Sequence, residues 1–240
     1  GELQANYGLL VTPAGGELLA LPQSPSALNG VARTAKLTLD ESGTLSGDVV
    51  ETWSGDWAAG QRWELRSAQQ AEDQIKPIES MLTHSLSTFQ VMKASVGNQA
   101  IVEKPLTWNY TLEIPRYPRV AGDLLIIRPR VFGSMSSGLL ETKEARENPI
   151  EFEAPVLRTD VFEITVPAGY VLDSLPPPAN KDIGSVAYRS STSFSGNVLR
   201  YTRTLEVKEL SVPLAKSQAL REFYRAIEGD ERNSAVLKRP

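Results

Sequence analysis

Few residues in this chain have the chemistry to catalyse a reaction. It holds one histidine, His84, and no cysteine. Without Cys there is no thiol nucleophile, disulfide, thiolate zinc site or iron–sulfur cluster. A Ser-His-Asp triad would need His84 as its base, and no Gly-x-Ser-x-Gly elbow supplies the nucleophile. A zinc site at His84 would have to recruit Asp or Glu for all its other ligands. Calcium finds no Asp-x-Asp-x-Asp-Gly loop, and no glycine-rich phosphate cradle is present. We expect neither cofactor nor metal, and no active site.

Carboxylates remain, because a glycosidase needs only two. Glu151 and Glu153 would lie on the same side of a strand, whereas Asp160 and Glu163 would lie on opposite faces. Any β-rich chain with 29 acids offers such pairs, so a cryptic carboxylate hydrolase is the last of three readings. Aromatic residues make the second. Trp53, Trp57 and Trp63 fall within eleven residues, and stacked on one face they could hold a sugar ring or a peptide. The competing use is packing, with Trp53 and Trp63 between a sheet and a helix and Trp57 plugging a loop.

The elements that must position these residues are mostly strands. Tyr7 to Thr12 and Glu17 to Leu21 flank the turn Pro13-Ala14-Gly15-Gly16. Lys36 to Leu39 and Thr44 to Trp53 flank Asp40-Glu41-Ser42-Gly43, with Leu45, Val49 and Trp53 on one face. The sequence predicts a turn over 55–60 and another strand over 61–66. Ser67 and Gln70 then fit a capping box for a helix carrying Ile75, Ile78, Met81 and Leu82. Strands are predicted again at 89–96, 107–114, 123–128 and 161–166. The segment 133–148 reads as a loop, and Pro176-Pro177-Pro178 as a stiff extended piece. Two long strands, 185–194 and 198–207, join across Ser195-Gly196-Asn197. Arg203 shares the apolar face of Leu199, Tyr201, Leu205 and Val207, which calls for a bulge, a rim position or a buried ion pair. A closing helix begins near Pro213, with Leu220, Phe223, Tyr224 and Ile227 as its apolar stripe and Gly229 as its C-cap. Residues 235–237 end the pattern as a short strand.

These elements describe a mainly β fold with a minor α part. We expect two β-sandwich-like domains, each with one packed helix. The first covers 1–104 with a helix near 67–84, and the second 105–240 with a helix near 213–228. The net charge of −4, from 25 basic and 29 acidic residues, suits solubility rather than a charged partner. No run of Lys and Arg supports nucleic-acid binding or a polybasic membrane anchor. No stretch approaches the ~18 continuous apolar residues of a bilayer span, so we expect no membrane insertion. Gly1 opens the chain without an initiator Met, and we expect a piece of a longer protein.

Several segments carry a family resemblance. GGELLALP (15–22) resembles the segment that closes a transglutaminase-like core. AKLTLDESGTLSGDVVETWSG (35–55), with Arg62 after it, resembles a G-turn-G hairpin and its following Arg. VLRTDVFEITVPAGYVLDSLPPP (156–178) resembles a strand ending in a Pro-x-Gly-Tyr turn and a Leu-Pro exit. The closing segment, 198–240, resembles the long strand, helix and basic tail of the same group. Together they resemble the C-terminal β-rich region of unknown function that follows the transglutaminase-like core in large bacterial exported proteins. The resemblance implies a periplasmic, surface-attached or secreted parent. It implies an adjacent transglutaminase-like domain as partner, with a further protein or an envelope polymer as a second one. The Cys, His and Asp of that core have no counterpart here, so the resemblance implies a non-catalytic accessory region.

Overall fold

Strict alternation of apolar and polar residues builds the centre of the molecule. On β3 (Gly30–Leu39) the side chains of Val31, Arg33, Ala35, Leu37 and Leu39 are buried while those between them are exposed. The same period runs through β4 (Leu45–Ser54), β6 (Leu106–Ile114), β10 (Val156–Thr165) and β14 (Val198–Val207), as a sheet with one buried face requires. The computed structural model describes residues 4, 6–66, 74–136 and 147–239. The capping box at Ser67 and residues 137–146 of the expected loop lie outside the described residues.

These strands join β5 (Gln90–Gly97), β12 (Ala179–Asp182) and β13 (Val186–Ser195) in one eight-stranded sheet of order β12-β13-β14-β10-β3-β4-β6-β5. All pairs are antiparallel except β10 with β3, which run parallel. A four-stranded sheet, β11 (Val171–Ser174), β16 (Ala235–Lys238), β8 (Leu124–Ile127) and β7 (Arg119–Ala121), packs on the buried face through Leu125, Ile127, Ala235 and Leu237. Helix α2 (Lys76–Thr83) adds Ile78 and Leu82 to that core. A second core lies under α3 (Ser217–Arg232), where Leu220, Phe223 and Ile227 meet Val186, Tyr188, Leu205 and Val207. Two small pairs complete the strands: β1 (Tyr7–Thr12) with β2 (Gly15–Ala20), and β9 (Ile150–Glu151) with β15 (Ser211–Val212).

The mainly β reading holds, but only the second core receives a single helix; among the described residues the first receives two, α2 and a helix over 55–65 that brings in Ala58 and Leu65. The expected boundary near residue 104 does not divide the sheet. It falls in the connection between β5 and β6, which pair with each other, and β3 pairs with β10 across it. That parallel pair is tight: at Gly30 (φ +141°) a Cβ would lie 1.9 Å from the Leu157 carbonyl oxygen, so only glycine fits.

Local corrections have physical causes. Residues 55–65 form a helix, α1 (Gly55–Leu65), instead of a turn and a strand. Its first N–H groups, those of Asp56 and Trp57, donate to the side-chain carbonyl of Asn29 at 3.0 and 3.4 Å. The cap thus comes from a residue remote in sequence, while the nominal N-cap, Ser54, makes no side-chain cap bond. Ala58, Ala59, Gln61, Arg62, Glu64 and Leu65 are good helix formers once capped. The β13–β14 hairpin pairs Ser195 with Val198, so its loop is two residues, Gly196-Asn197. Gly229 does not end α3, which runs to Arg232. The extra turn carries Asp230 and Glu231, both buried and bonded to the sheet.

Candidate functional site

Four charged residues stand in one row across the centre of the large sheet. Register pairs Arg203 with Asp160, Asp160 with Arg33, and Arg33 with Glu51. Cation and anion alternate over β14, β10, β3 and β4. Continued outward, the row reaches Ser190 and Ala179 on one side, and Trp108 and Val96 on the other, so each of the eight strands contributes a residue. All four charged side chains point to the buried face.

The bonds are dense. Arg33 donates Nε to Glu51 Oε1 at 3.0 Å and Nη2 to Oε2 at 3.2 Å, a two-pronged grip. Its Nη1 donates to Asp160 Oδ1 at 3.0 Å. Arg203 holds the other oxygen of that carboxylate, with Nε 2.7 Å from Oδ2. Its Nη1 reaches Glu231 Oε1 on α3 at 2.6 Å, and its Nη2 donates to the Gly133 carbonyl at 3.1 Å. Glu231 also accepts from the Met135 N–H at 2.6 Å and the Ser134 hydroxyl at 2.8 Å. Glu51 accepts from Tyr110 Oη at 2.7 Å and Trp53 Nε1 at 3.1 Å. The Arg33 guanidinium lies over Phe132, 5.0 Å from the ring centre. Beside the row, Asp230 Oδ2 accepts from Tyr188 and Tyr201 at 2.6 and 2.8 Å.

Burial alone would drive these groups towards neutrality, but their partners outweigh it. Burial raises the Asp160 carboxyl, yet Arg203, Arg33 and Arg158 bring it below its ordinary value. Glu231 is lowered against burial by Arg203, the Met135 N–H and Arg130. Arg33 and Arg203 are raised, because neighbouring carboxylates exceed the burial penalty. Arg158 is the exception: burial, then Arg203 and Arg33, lower it to about 10 despite Asp160. Every charge in the row is committed to an internal partner, so the row holds the fold and offers no base or nucleophile.

The tryptophans sit at the edge of this network. Trp53 ends the inward face of β4, and Trp57 follows on α1, with ring centres 5.7 Å apart and planes tilted by 41°. Both are half-buried. Arg158 lies over Trp57, 5.2 Å from its ring centre. Trp63 is six residues further along α1, about 240° round the helix, and does not join them. It is 70% exposed, with Arg66 stacked on it at 5.1 Å. The structure therefore brings Trp53 and Trp57 together and leaves Trp63 apart; the expected placement of Trp53 and Trp63 on neighbouring strands is corrected by α1.

The other candidates are dispersed. His84 is exposed at the end of α2, its Nδ1 2.8 Å from the Ser80 carbonyl oxygen. Among the described residues no group of three His, Cys, Asp or Glu could hold a metal. Glu151 and Glu153 line one pocket with Phe152, but both are exposed, whereas a general acid is desolvated. Asp160 is locked in the row, and Glu163 faces Arg200 at 3.8 Å. Sequence reasoning marked Arg203 for its inward position but missed Arg33, Glu51 and Glu231. The signal was available: Arg33 stands between Val31 and Ala35, and Glu51 between Val49 and Trp53, at positions that should be apolar.

Residues 123–237 match a family described as a domain of unknown function with a solved structure, DUF3858. No curated protein matches the chain. A solved structure of a candidate protease from Parabacteroides distasonis ATCC 8503 is similar at 14% identity and a TM-score of 0.39. The similarity covers 49% of this chain and 24% of that one. At that level it carries no conclusion about fold or activity. No helix of the described residues is long and apolar enough to cross a membrane.

Proposed function

We propose that this chain is a non-catalytic accessory and interaction region of a larger exported bacterial protein. In this reading its partner is a transglutaminase-like domain of the same parent chain, and its place is the periplasm or the cell surface. The observation that carries the interaction role is the β1–β2 hairpin. Register pairs Leu9 with Leu18, and Tyr7, Val11 and Leu18 are 73%, 77% and 71% exposed. A two-stranded hairpin is marginal alone in water, and a bare apolar face of this kind favours a covering protein surface. The saturated charge row supports the non-catalytic part, because the most deeply buried ionisable groups are used in holding strands together.

Two experiments test this. The full-length reading frame should encode a transglutaminase-like core with its Cys upstream of Gly1; a frame beginning near Gly1 refutes the proposal. In the full-length parent, Leu9→Ser with Leu18→Ser should expose the hairpin to limited proteolysis and lower the melting temperature. Unchanged protection would count against a covered hairpin. A second reading, a carbohydrate- or peptide-binding module, draws on the exposure of Trp63. Intrinsic fluorescence titrated with cell-wall glycans and peptides tests it, and a flat response ends it.

A further inference from the structure

A pocket of about 460 Å³ opens where the β6–β7 turn, the end of β8 and the end of α3 meet. Four arginines line it: Arg116, Arg119, Arg128 and Arg232. No Asp or Glu does so among the described residues. This concentration runs against a chain with net charge −4, and like charges gathered without counter-ions repel. Arg232 has two other uses, an ion pair with Glu228 and a place at the C-terminal end of α3. Arg116, Arg119 and Arg128 have none: among the described residues no side-chain hydrogen bond or ion pair engages them.

The pocket is also built rather than incidental. Arg116 has φ 53°, a left-handed conformation that a branched or long side chain adopts only when its surroundings enforce it. The neighbouring Tyr117 is itself held at both ends. Its N–H donates to the Gly43 carbonyl at 2.9 Å, and its hydroxyl donates to the Arg128 carbonyl at 2.5 Å. The turn is thereby tied to β8, with Arg116 and Arg128 on the same pocket. Ser87 and Thr88 add hydroxyls to the lining.

We propose that this pocket binds a small phosphate ester. Three uncommitted guanidinium groups call for more charge and more acceptor oxygens than one carboxylate has, and a phosphate supplies about −1.5 to −2 with three acceptors. The volume leaves room for an organic part, whose hydroxyls Ser87 and Thr88 can meet. The site is separate from the hairpin and from the charge row, so it does not depend on the reading given above.

The test is calorimetric titration of the intact chain with glucose 6-phosphate, glucose and citrate at low ionic strength. Glucose 6-phosphate should bind, glucose should not, and added salt should weaken binding. Arg119→Gln with Arg128→Gln should weaken it about tenfold or more; both side chains are exposed, and an unchanged melting temperature confirms the fold. Equal affinity in the double variant, no binding of glucose 6-phosphate at millimolar concentration, or tighter binding of citrate overturns the proposal. Sedimentation with phosphatidylglycerol vesicles separates the sources of the phosphate. Co-sedimentation lost in the double variant, with glucose 6-phosphate also bound, extends the site to lipid headgroups. Co-sedimentation without glucose 6-phosphate binding overturns the soluble ester.

Discussion

Asp160 and Arg33 lie opposite one another across the parallel pair β10–β3, and Arg33 Nη1 donates to Asp160 Oδ1 at 3.0 Å. The bond joins two segments far apart in sequence at the only parallel pairing in the large sheet among the described residues. Arg203 takes the second oxygen of the same carboxylate, so Asp160 is the single anion between two buried cations. Asp160→Asn should leave both guanidiniums under-compensated and cost about 3–5 kcal/mol. Urea unfolding measures this; a loss below about 1 kcal/mol would show that the row is not a unit.

Acid should unfold the protein through the same residues. Asp160 and Glu231 lie below their ordinary values of 3.8 and 4.5 in the folded state. A depressed carboxyl contributes stability that is present above its unfolded value and lost as pH falls through its folded one. The melting temperature should therefore hold down to about pH 5 and fall below about pH 4.5. Asp160→Asn with Glu231→Gln should start lower and fall less steeply; an identical slope would assign acid lability elsewhere.

Helix α1 should depend on Asn29. Its side-chain oxygen caps Asp56 and Trp57, and its Nδ2 donates to the Pro155 carbonyl at 2.8 Å. Asn29→Ala removes all three bonds from a buried position and should cost about 1–3 kcal/mol. Because Trp57 belongs to α1, its fluorescence should shift on the same substitution. Stability within about 0.5 kcal/mol of the parent would mean that α1 caps itself.

Next to Arg203 in the row, Ser190 Oγ is buried and has no hydrogen-bond partner among the described residues. Removing an unsatisfied hydroxyl relieves a desolvation penalty. Ser190→Ala should be neutral or stabilising by up to about 1 kcal/mol. A clear destabilisation in thermal melts would reveal a bond to this oxygen that the fold conceals.

Local patterns made much of this fold readable. Alternation located β3, β4, β6, β10, β13 and β14, and the Asp40 turn is where its side chain predicts, accepting from the Ser42 and Thr44 N–H groups at 2.8 and 2.9 Å. What escaped is non-local. Nothing near Gly30 announces that β3 will pair with β10, and the cap that makes α1 a helix belongs to Asn29. The turn read over 55–60 and the strand read over 61–66 passed over the helix formers Ala58, Ala59, Gln61, Arg62 and Glu64. The row was half legible: Arg203 on an apolar face demanded a partner, but only the sheet order shows that Asp160, Arg33 and Glu51 stand in line with it.

The row has a consequence for cutting the chain. A break near residue 104 leaves Arg33 and Glu51 on one fragment and Asp160, Arg203 and Glu231 on the other. The first would retain the Arg33–Glu51 pair but expose the long edge of β3; the second would retain Arg203 with Asp160 and Glu231 but expose the matching edge of β10. Neither fragment closes its own sheet, because β6 goes with the second while its two neighbours, β4 and β5, stay with the first. A single break there therefore parts the sheet at three pairings at once, β3 with β10, β4 with β6 and β5 with β6.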